Sequence, residues 1–442
     1  MRRKTLFFIV PVILIMMFAP AESAEPVSLD DFLGIVLSNN SALASEAKSA
    51  EAAYYSALGA LGGPRPSFGV SAGASFLTAQ EQEGLRESGE SAADLRLTFV
   101  QPIDISGKFG LEERQEILAY EMKRAEFARS VNELLASAEE SYWSAVFAGE
   151  NALLQRELLK GRVENLRIAE EKFRLGLVPR LDVVRAEALV VASRTNLAEA
   201  DAETSNIMAA MALMAGVGVE PAAALESPMT SPDFNAPDSD AALEERPDVK
   251  CAALAVRVSD VAVKLAAKGM APALEVSASW VLFSDPSASS SPQSGELEAV
   301  VRLSLPILDN GAKFEKLKTE TLKQAAEVSL KHAIETAKME LAVSENNWNR
   351  AVALERGRGI EVEKSNEELR ITELMYREGM GAQLDLINAQ IENQRVRTDY
   401  LGAVKEKRVA IVQMRRAVGG YAKRTMFGDF FVPLAAERHA PF

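Results

Sequence analysis

The chain has 442 residues, with 63 acidic against 49 basic side chains and a formal net charge of −14. That balance disfavours nucleic acid as a partner, because phosphate contacts need clustered Lys and Arg. The one cysteine, Cys251, excludes an internal disulfide and is expected as a small buried side chain on a helix. With only His332 and His439 as histidines, neither a His/Cys metal site nor a Cys-His catalytic pair is expected, and no cofactor is implied.

Arg2, Arg3 and Lys4 precede an apolar run, Leu6 to Phe18, and the small residues Ala19-Pro20-Ala21, the order of a secretory signal peptide over 1–21. Cleavage fits after Ala21, Ser23 or Ala24, and no Cys follows to carry a lipid anchor. No later stretch reaches the roughly 18 apolar residues of a spanning helix. Ile207 to Val219 comes nearest and is too short. If the mature chain crosses a membrane, strands must do it.

Ser28 is a plausible N-cap, with Asp31 standing in for the usual Glu of a capping box, and one helix is expected from there to Leu58. Gly59, Gly62, Gly63 and Pro64 stop it. Over about 66–78 the period changes to two: Phe68, Val70, Ala72, Ala74 and Phe76 alternate with Ser67, Gly69, Ser71, Gly73 and Ser75. Thr78 to Ala93 reads as an exposed loop, and a second strand follows over about 93–104, with Leu95, Leu97, Phe99 and Ile103 on one face. Both strands have the ~9 to 11 residues that a tilted spanning strand needs. A soluble hairpin with one buried face has the same pattern.

A helical hairpin is expected over about 107–216, its first arm free of Pro until Pro179 and therefore on the order of 100 Å long. Val131, Leu135, Ala138, Tyr142, Ala145, Gly149 and Ala152 step by four and three. So do Val184, Ala188, Val191, Thr195, Ala198, Ala202, Ser205, Ala209 and Ala212 on the return arm. These are coiled-coil seams rich in Ala. Residues 219–247, with Pro221, Pro228, Pro232 and Pro237, form a connector.

The plan then repeats. A helix from about Asp248 to Lys268, strands over about 272–284 and 296–306, and a hairpin over about 311–419 make a second repeat, 248–420, to match the first, 22–218. Pro306 to Gly311 matches Pro102 to Gly107, and the tail 421–442 has no strong pattern. The two hairpin turns read FRLGLVPRLD (Phe173 to Asp182) and YREGMGAQLD (Tyr376 to Asp385), and the correspondence extends upstream to Leu166-Arg167-Ile168 against Leu369-Arg370-Ile371. Gly after a helix and Asp at the next helix start are common capping choices. Their recurrence with matched flanks marks a duplication.

Four strands cannot close a barrel, since the smallest membrane barrels need about 8, and open edges are not tolerated in lipid. Oligomerisation follows if these strands span, and three chains would supply twelve strands. With its signal peptide, its two-repeat plan, the strand exits QPIDISGKFG and LPILDNGAKF and the G-x-x-x-x-L-D turns, the chain from about Ser28 to Gly420 resembles the TolC-like outer-membrane efflux channels.

The resemblance implies a mainly α fold with a membrane β portion: a homotrimer whose 12-stranded β-barrel lies in outer-membrane lipid and continues as an α-helical barrel through the periplasm. It implies a passive exit duct of a tripartite efflux or secretion system, not an enzyme. The duct is coupled to an inner-membrane transporter through a periplasmic adaptor (membrane fusion) protein. Carried onto this chain, the second turn is the gating tip, with Asp385 at the constriction, Tyr376, Arg377 and Gly379 beside it, and Asn388 where some members carry a second Asp. Gly176, Arg180, Leu181 and Asp182 of the first turn are then candidates for adaptor docking. The simpler role for both aspartates is helix N-terminal capping. The alternative for the whole chain is a periplasmic coiled-coil scaffold with a small soluble sheet.

Overall fold

The computed structural model describes residues 27–61, 63–78, 89–216, 243, 245–284 and 294–422. The expected signal peptide, the centres of both strand-joining loops, nearly all of the connector and the tail beyond Ala422 lie outside the described residues.

The entry helix is two helices, α1 (Leu29–Asn39) and α2 (Ser41–Ala60). The Ser28 cap forms as expected: its Oγ accepts from the Asp31 amide at 3.2 Å and donates to the Asp31 carboxylate at 2.7 Å. The expected continuity to Leu58 fails at Asn40, whose extended backbone ends α1 and whose side chain accepts from the Leu43 amide at 3.1 Å. Asn competes for local backbone groups inside a helix and is favoured as a cap, so the chain breaks there. Phe32, Leu33 and Val36 are buried, with the Phe32 ring 6.0 Å from that of Tyr142, whose hydroxyl donates to the Val27 carbonyl at 3.0 Å.

Four antiparallel strands follow one another across a single sheet: β1 (Ser67–Thr78), β2 (Gly89–Ile103), β3 (Ala273–Ser284) and β4 (Leu297–Ser304). β2 starts earlier than the loop expected through Ala93, because Thr78 pairs with Gly89 and the small residues Ser91, Ala92 and Ala93 continue the ladder. The register puts Val70, Leu97, Trp280 and Leu297 in one row across the sheet, and Gly69, Thr98, Ser279 and Glu298 in the adjacent row. Partners in a ladder share a face and successive residues alternate. One face of the sheet is therefore apolar apart from Gln101, and the other is mainly small and polar with Val100, Val281 and Val300 among its residues. The apolar face is uncovered: Phe68, Val70, Leu297 and Val301 are all exposed.

Asp104 turns β2 into the long helix α3 (Lys108–Arg174) by accepting from the amides of Ser106, Gly107, Lys108 and Phe109 at 2.7–3.1 Å. Burial alone would raise its pKa, but those four N–H donors hold the carboxyl below its ordinary value.

α3 has 67 residues and returns as α4 (Arg180–Ala215), while α5 (Pro247–Ala267) leads through β3 and β4 to α6 (Asn310–Arg377, 68 residues) and α7 (Gln383–Ala417). The α3 seam is as expected, with Val131, Leu135, Ala138, Tyr142, Ala145 and Ala152 buried. The α4 seam is not. Val184, Ala188, Val191, Thr195, Ala198, Ala202, Ser205 and Ala209 are exposed in the chain, and the buried stripe is Ala186, Val190, Ser193, Ala200, Met208, Met211 and Ala215. Both stripes are poor in bulk, and the one that buries two Met side chains removes more apolar area from water. In α6, Ala337, Ser344, Ala351 and Ser365 are buried at spacings of whole heptads, which lets α7 approach closely.

The chain packs as two compact units, Met1–Val36 with Ser141–Ser231 and Leu37–Glu140 with Pro232–Phe442, so the packing boundary falls inside α3 and not between the sequence repeats. Within the second unit the C-terminal end of α7 is held by buried polar groups. Arg246 donates to the Ala417 carbonyl at 2.7 Å, Asn132 to the Arg416 carbonyl at 3.2 Å, and Asn132 Oδ1 accepts from the Tyr421 amide at 3.3 Å. Helix-end carbonyls that lack intrahelical partners are thereby satisfied. Arg246 also binds Asp248 at 2.7 Å and Glu340 at 2.6 Å. Glu139, 2% exposed, accepts from Arg415 at 2.9 Å and from the Tyr421 hydroxyl at 2.6 Å. Burial and the Glu139 carboxylate push the Tyr421 phenol well above its usual range.

Glu139→Ala leaves Tyr421 and Arg415 without their acceptor, and a destabilisation of about 2–3 kcal/mol is expected in chemical unfolding of the full chain, with Glu139→Gln costing less. Asp104 has a depressed folded pKa, so its contribution is fully present above the ordinary carboxylate pKa and disappears as pH falls through the lower folded value. The thermal midpoint of Asp104→Ala should accordingly lie below that of the parent at neutral pH and converge with it in acid.

Candidate functional site

Both helical turns are built the same way. In the first, the Gly176 amide bonds the Phe173 carbonyl at 2.9 Å and the Leu177 amide reaches the Lys172 carbonyl at 2.9 Å. In the second, Gly379 bonds Tyr376 at 3.2 Å and Met380 bonds Met375 at 2.9 Å. These paired bonds form a Schellman C-cap, which needs a left-handed residue at the glycine: Gly176 has φ 72° and Gly379 φ 76°. The second turn is the tighter. Met375 also accepts from Gly381 at 3.0 Å, and a Cβ on Gly381 would lie 3.2 Å from the Met375 side chain and the Tyr376 amide.

The return helices start at Pro179 and Ala382, extended residues with no side-chain cap bond. Asp182 and Asp385 stand at the third helical position rather than at the cap, where a carboxylate faces the positive end of the helix dipole. Their surroundings differ. Asp182 is largely covered and lies 3.9 Å from Arg185, whereas Asp385 is exposed and forms no hydrogen bond or ion pair with the described residues. Arg377, Gly379 and Asn388 are exposed near it, and Tyr376 is buried inside the hairpin. In the first turn Gly176 and Arg180 are exposed together with the apolar side chains of Leu175, Leu177 and Leu181.

Above the turns, each hairpin buries a polar contact that periodicity alone did not single out. Arg162 donates to Ser193, with burial holding the guanidinium pKa below its ordinary value. Asn393, 1% exposed, donates to Ser365 at 3.2 Å and Asn366 at 2.8 Å. The available signal was a polar side chain at an otherwise apolar step: Asn393 falls between Leu386 and Val396 on the buried stripe of α7. Gln383 and Gln390 are buried on the same stripe. Cys251, expected to be buried, is half-exposed and lines a cavity of about 800 Å³ with His332, Arg129 and Glu340. Burial raises its thiol pKa to about 11, so it is inert as a nucleophile.

Among the described residues no helix is long and apolar enough to cross a membrane. The uncovered apolar face of the sheet has the chemistry of a lipid contact.

The model of the family described as outer membrane efflux protein matches residues 33–217 and 239–420. Nodulation protein T of Rhizobium leguminosarum bv. trifolii is 27% identical over 315 residues, 66% of this chain and 63% of that protein. Outer membrane protein OprJ of Pseudomonas aeruginosa is 24% identical over 299 residues, 65% of this chain and 61% of OprJ. The match thus spans somewhat less than two thirds of the length of these relatives. In three dimensions the chain is similar to the open-state MtrE outer membrane channel of Neisseria gonorrhoeae, with a TM-score of 0.78 at 20% identity over 91% of both chains. Matched through both of its repeats, the chain belongs to the outer membrane efflux protein family.

Proposed function

We propose that this chain is the outer-membrane exit duct of a tripartite efflux or secretion system. Three copies close their sheets into a twelve-stranded barrel, and the helical hairpins continue it as a periplasmic tunnel. The observation that carries this reading is the sheet: four strands, apolar on one uncovered face and polar on the other, with β1 and β4 left as open edges. Such a sheet is stable in lipid only when its edges are paired. The apolar rows then face acyl chains, and the rows with Thr98, Ser279, Glu298 and Arg302 line water.

The duct performs no chemistry and has no energy source of its own; an inner-membrane transporter drives it through a periplasmic adaptor. Asp385 is the constriction residue. Its carboxylate has no partner among the described residues at an exposed helix start, and three copies converging on an axis make an acidic ring. A unit charge at about 4 Å attracts a cation by about 1 kcal/mol in water, and more in a narrow passage where water is displaced. One ring is therefore enough to set a cation preference. Asn388, a turn later, adds no charge. Arg377 and Gly379 shape the turn, and Tyr376 anchors it from within the hairpin. The first turn, with Gly176, Arg180, Asp182 and the exposed Leu181, is the adaptor-facing surface.

Two measurements test this reading. After a salt wash, the mature chain should stay with outer membranes and require detergent for release as a trimer; recovery in the soluble periplasm would sink the channel reading in favour of a scaffold. In planar bilayers, Asp385→Ala should raise single-channel conductance and reduce cation over anion preference several-fold. Unchanged selectivity would remove Asp385 from the constriction.

A further inference from the structure

Beyond the duct itself, the foot of the second β-hairpin carries an arrangement that nothing in the channel's passage of solutes requires. α5 ends at Ala267 with Lys268 as its C-cap, and Gly269 lets the chain pass against the start of α6: a Cβ on Gly269 would lie 3.4 Å from the Ala312 side chain. That contact sets Lys268 and Lys313, the sequence neighbours of the touching residues, at the same foot. Both are exposed, and neither forms an ion pair or hydrogen bond through its side chain with the described residues.

The acids nearby are otherwise engaged. The Asp309 carboxylate accepts from the Gly311 amide at 2.8 Å, Glu315 pairs with Lys318 at 3.1 Å, Glu320 with Lys316 at 3.8 Å, and Asp260 with Lys264 at 2.6 Å and Lys323 at 2.7 Å. The equivalent foot of the first hairpin differs, because Lys108 there faces Glu112 at 3.6 Å. Two exposed lysines without a side-chain partner among the described residues thus stand at the foot of the sheet. Around them Met270, Ile307, Leu308 and Phe314 are all exposed, Ile307 and Leu308 at more than 80%.

We infer that this foot is a binding site for an anionic glycerophospholipid of the leaflet on the helical side of the barrel. Lys268 and Lys313 take the headgroup phosphate, and the four apolar side chains lie along the acyl chains. The inference rests on the reading that the strands span a membrane. Lysines at a membrane interface keep their ammonium groups in the headgroup layer while their stems cover apolar surface, and each adds attraction to anionic lipid.

The test uses the full mature chain as wild type, as Lys268→Gln/Lys313→Gln, as Lys268→Arg/Lys313→Arg, and as Lys331→Gln, which removes one charge further along α6. Flotation with phosphatidylethanolamine vesicles, with and without phosphatidylglycerol, reports whether the strands insert. Titration of phosphatidylglycerol into the detergent-solubilised protein, followed by native mass spectrometry, reports the site. Wild type, the double Arg variant and Lys331→Gln should retain phosphatidylglycerol over phosphatidylethanolamine. The double Gln variant should bind it on the order of ten- to thirty-fold more weakly while still floating. Equal retention by wild type and the double Gln variant, or no preference for phosphatidylglycerol in wild type, overturns the lipid site and leaves the spanning strands intact. Failure of every protein to float with either vesicle overturns the spanning reading, and the lipid site with it.

Discussion

A backbone N–H or C=O in hydrocarbon has no water to turn to, so a strand in lipid must be paired on both edges. This chain supplies four strands in simple order, with β1 and β4 at the ends of the sheet and no further strand beside either among the described residues. Most other features are consistent with that one deficit. The ladder is continuous, with a single irregularity between Leu95 and Arg96, so the apolar and polar rows stay on their own faces from β1 to β4. The edge strands carry no proline and no bulge of the kind that blunts an exposed edge in a soluble sheet. Such a sheet is built to be continued.

The helices answer a different demand, which is to stay in register over about 100 Å. Seams of Ala and Ser bring backbones close, but small residues specify axial position poorly. A helix lined with Ala337, Ser344 and Ala351 packs almost as well one step along. Buried polar contacts remove that freedom, because a slipped register leaves a polar group without its partner in the core. Arg162 and Ser365 occupy equivalent positions of the two repeats, and each is bonded across its own hairpin, to Ser193 and to Asn393. The residue types have diverged while the level of the contact has stayed, which is what register control requires and what simple burial does not.

The legible parts of the sequence were those with a strong period or a steric signature. Alternation over Phe68 to Phe76 and over Leu274 to Leu282 located the strands, and Gly176 and Gly379 located the turns because only glycine takes that backbone without strain. The failures have physical causes. Asn40 broke the first helix because a single capping residue outweighed a continuous apolar pattern. The α4 seam was misplaced because that helix carries two stripes of small residues, and only packing decides which one is buried in the chain. The network around Glu139, Arg415 and Tyr421 joins residues almost 300 positions apart, and local periodicity holds no record of such a contact.

Duplication supplies both halves with the same parts, and the differences between the copies carry the specialisation. Asp182 is largely covered near Arg185, whereas Asp385, at the matching place, is exposed and has no partner among the described residues. At the hairpin feet Lys108 faces Glu112, whereas Lys313 has no ion pair with the described residues. In each case the first repeat holds a pair where the second holds a single charge. An exposed pair of opposite charges contributes little to stability, so losing one costs the fold little. It leaves a charge whose field is directed outward, available to an ion, a lipid or another chain. At the turn, then, the second repeat presents the charge that the first repeat pairs locally.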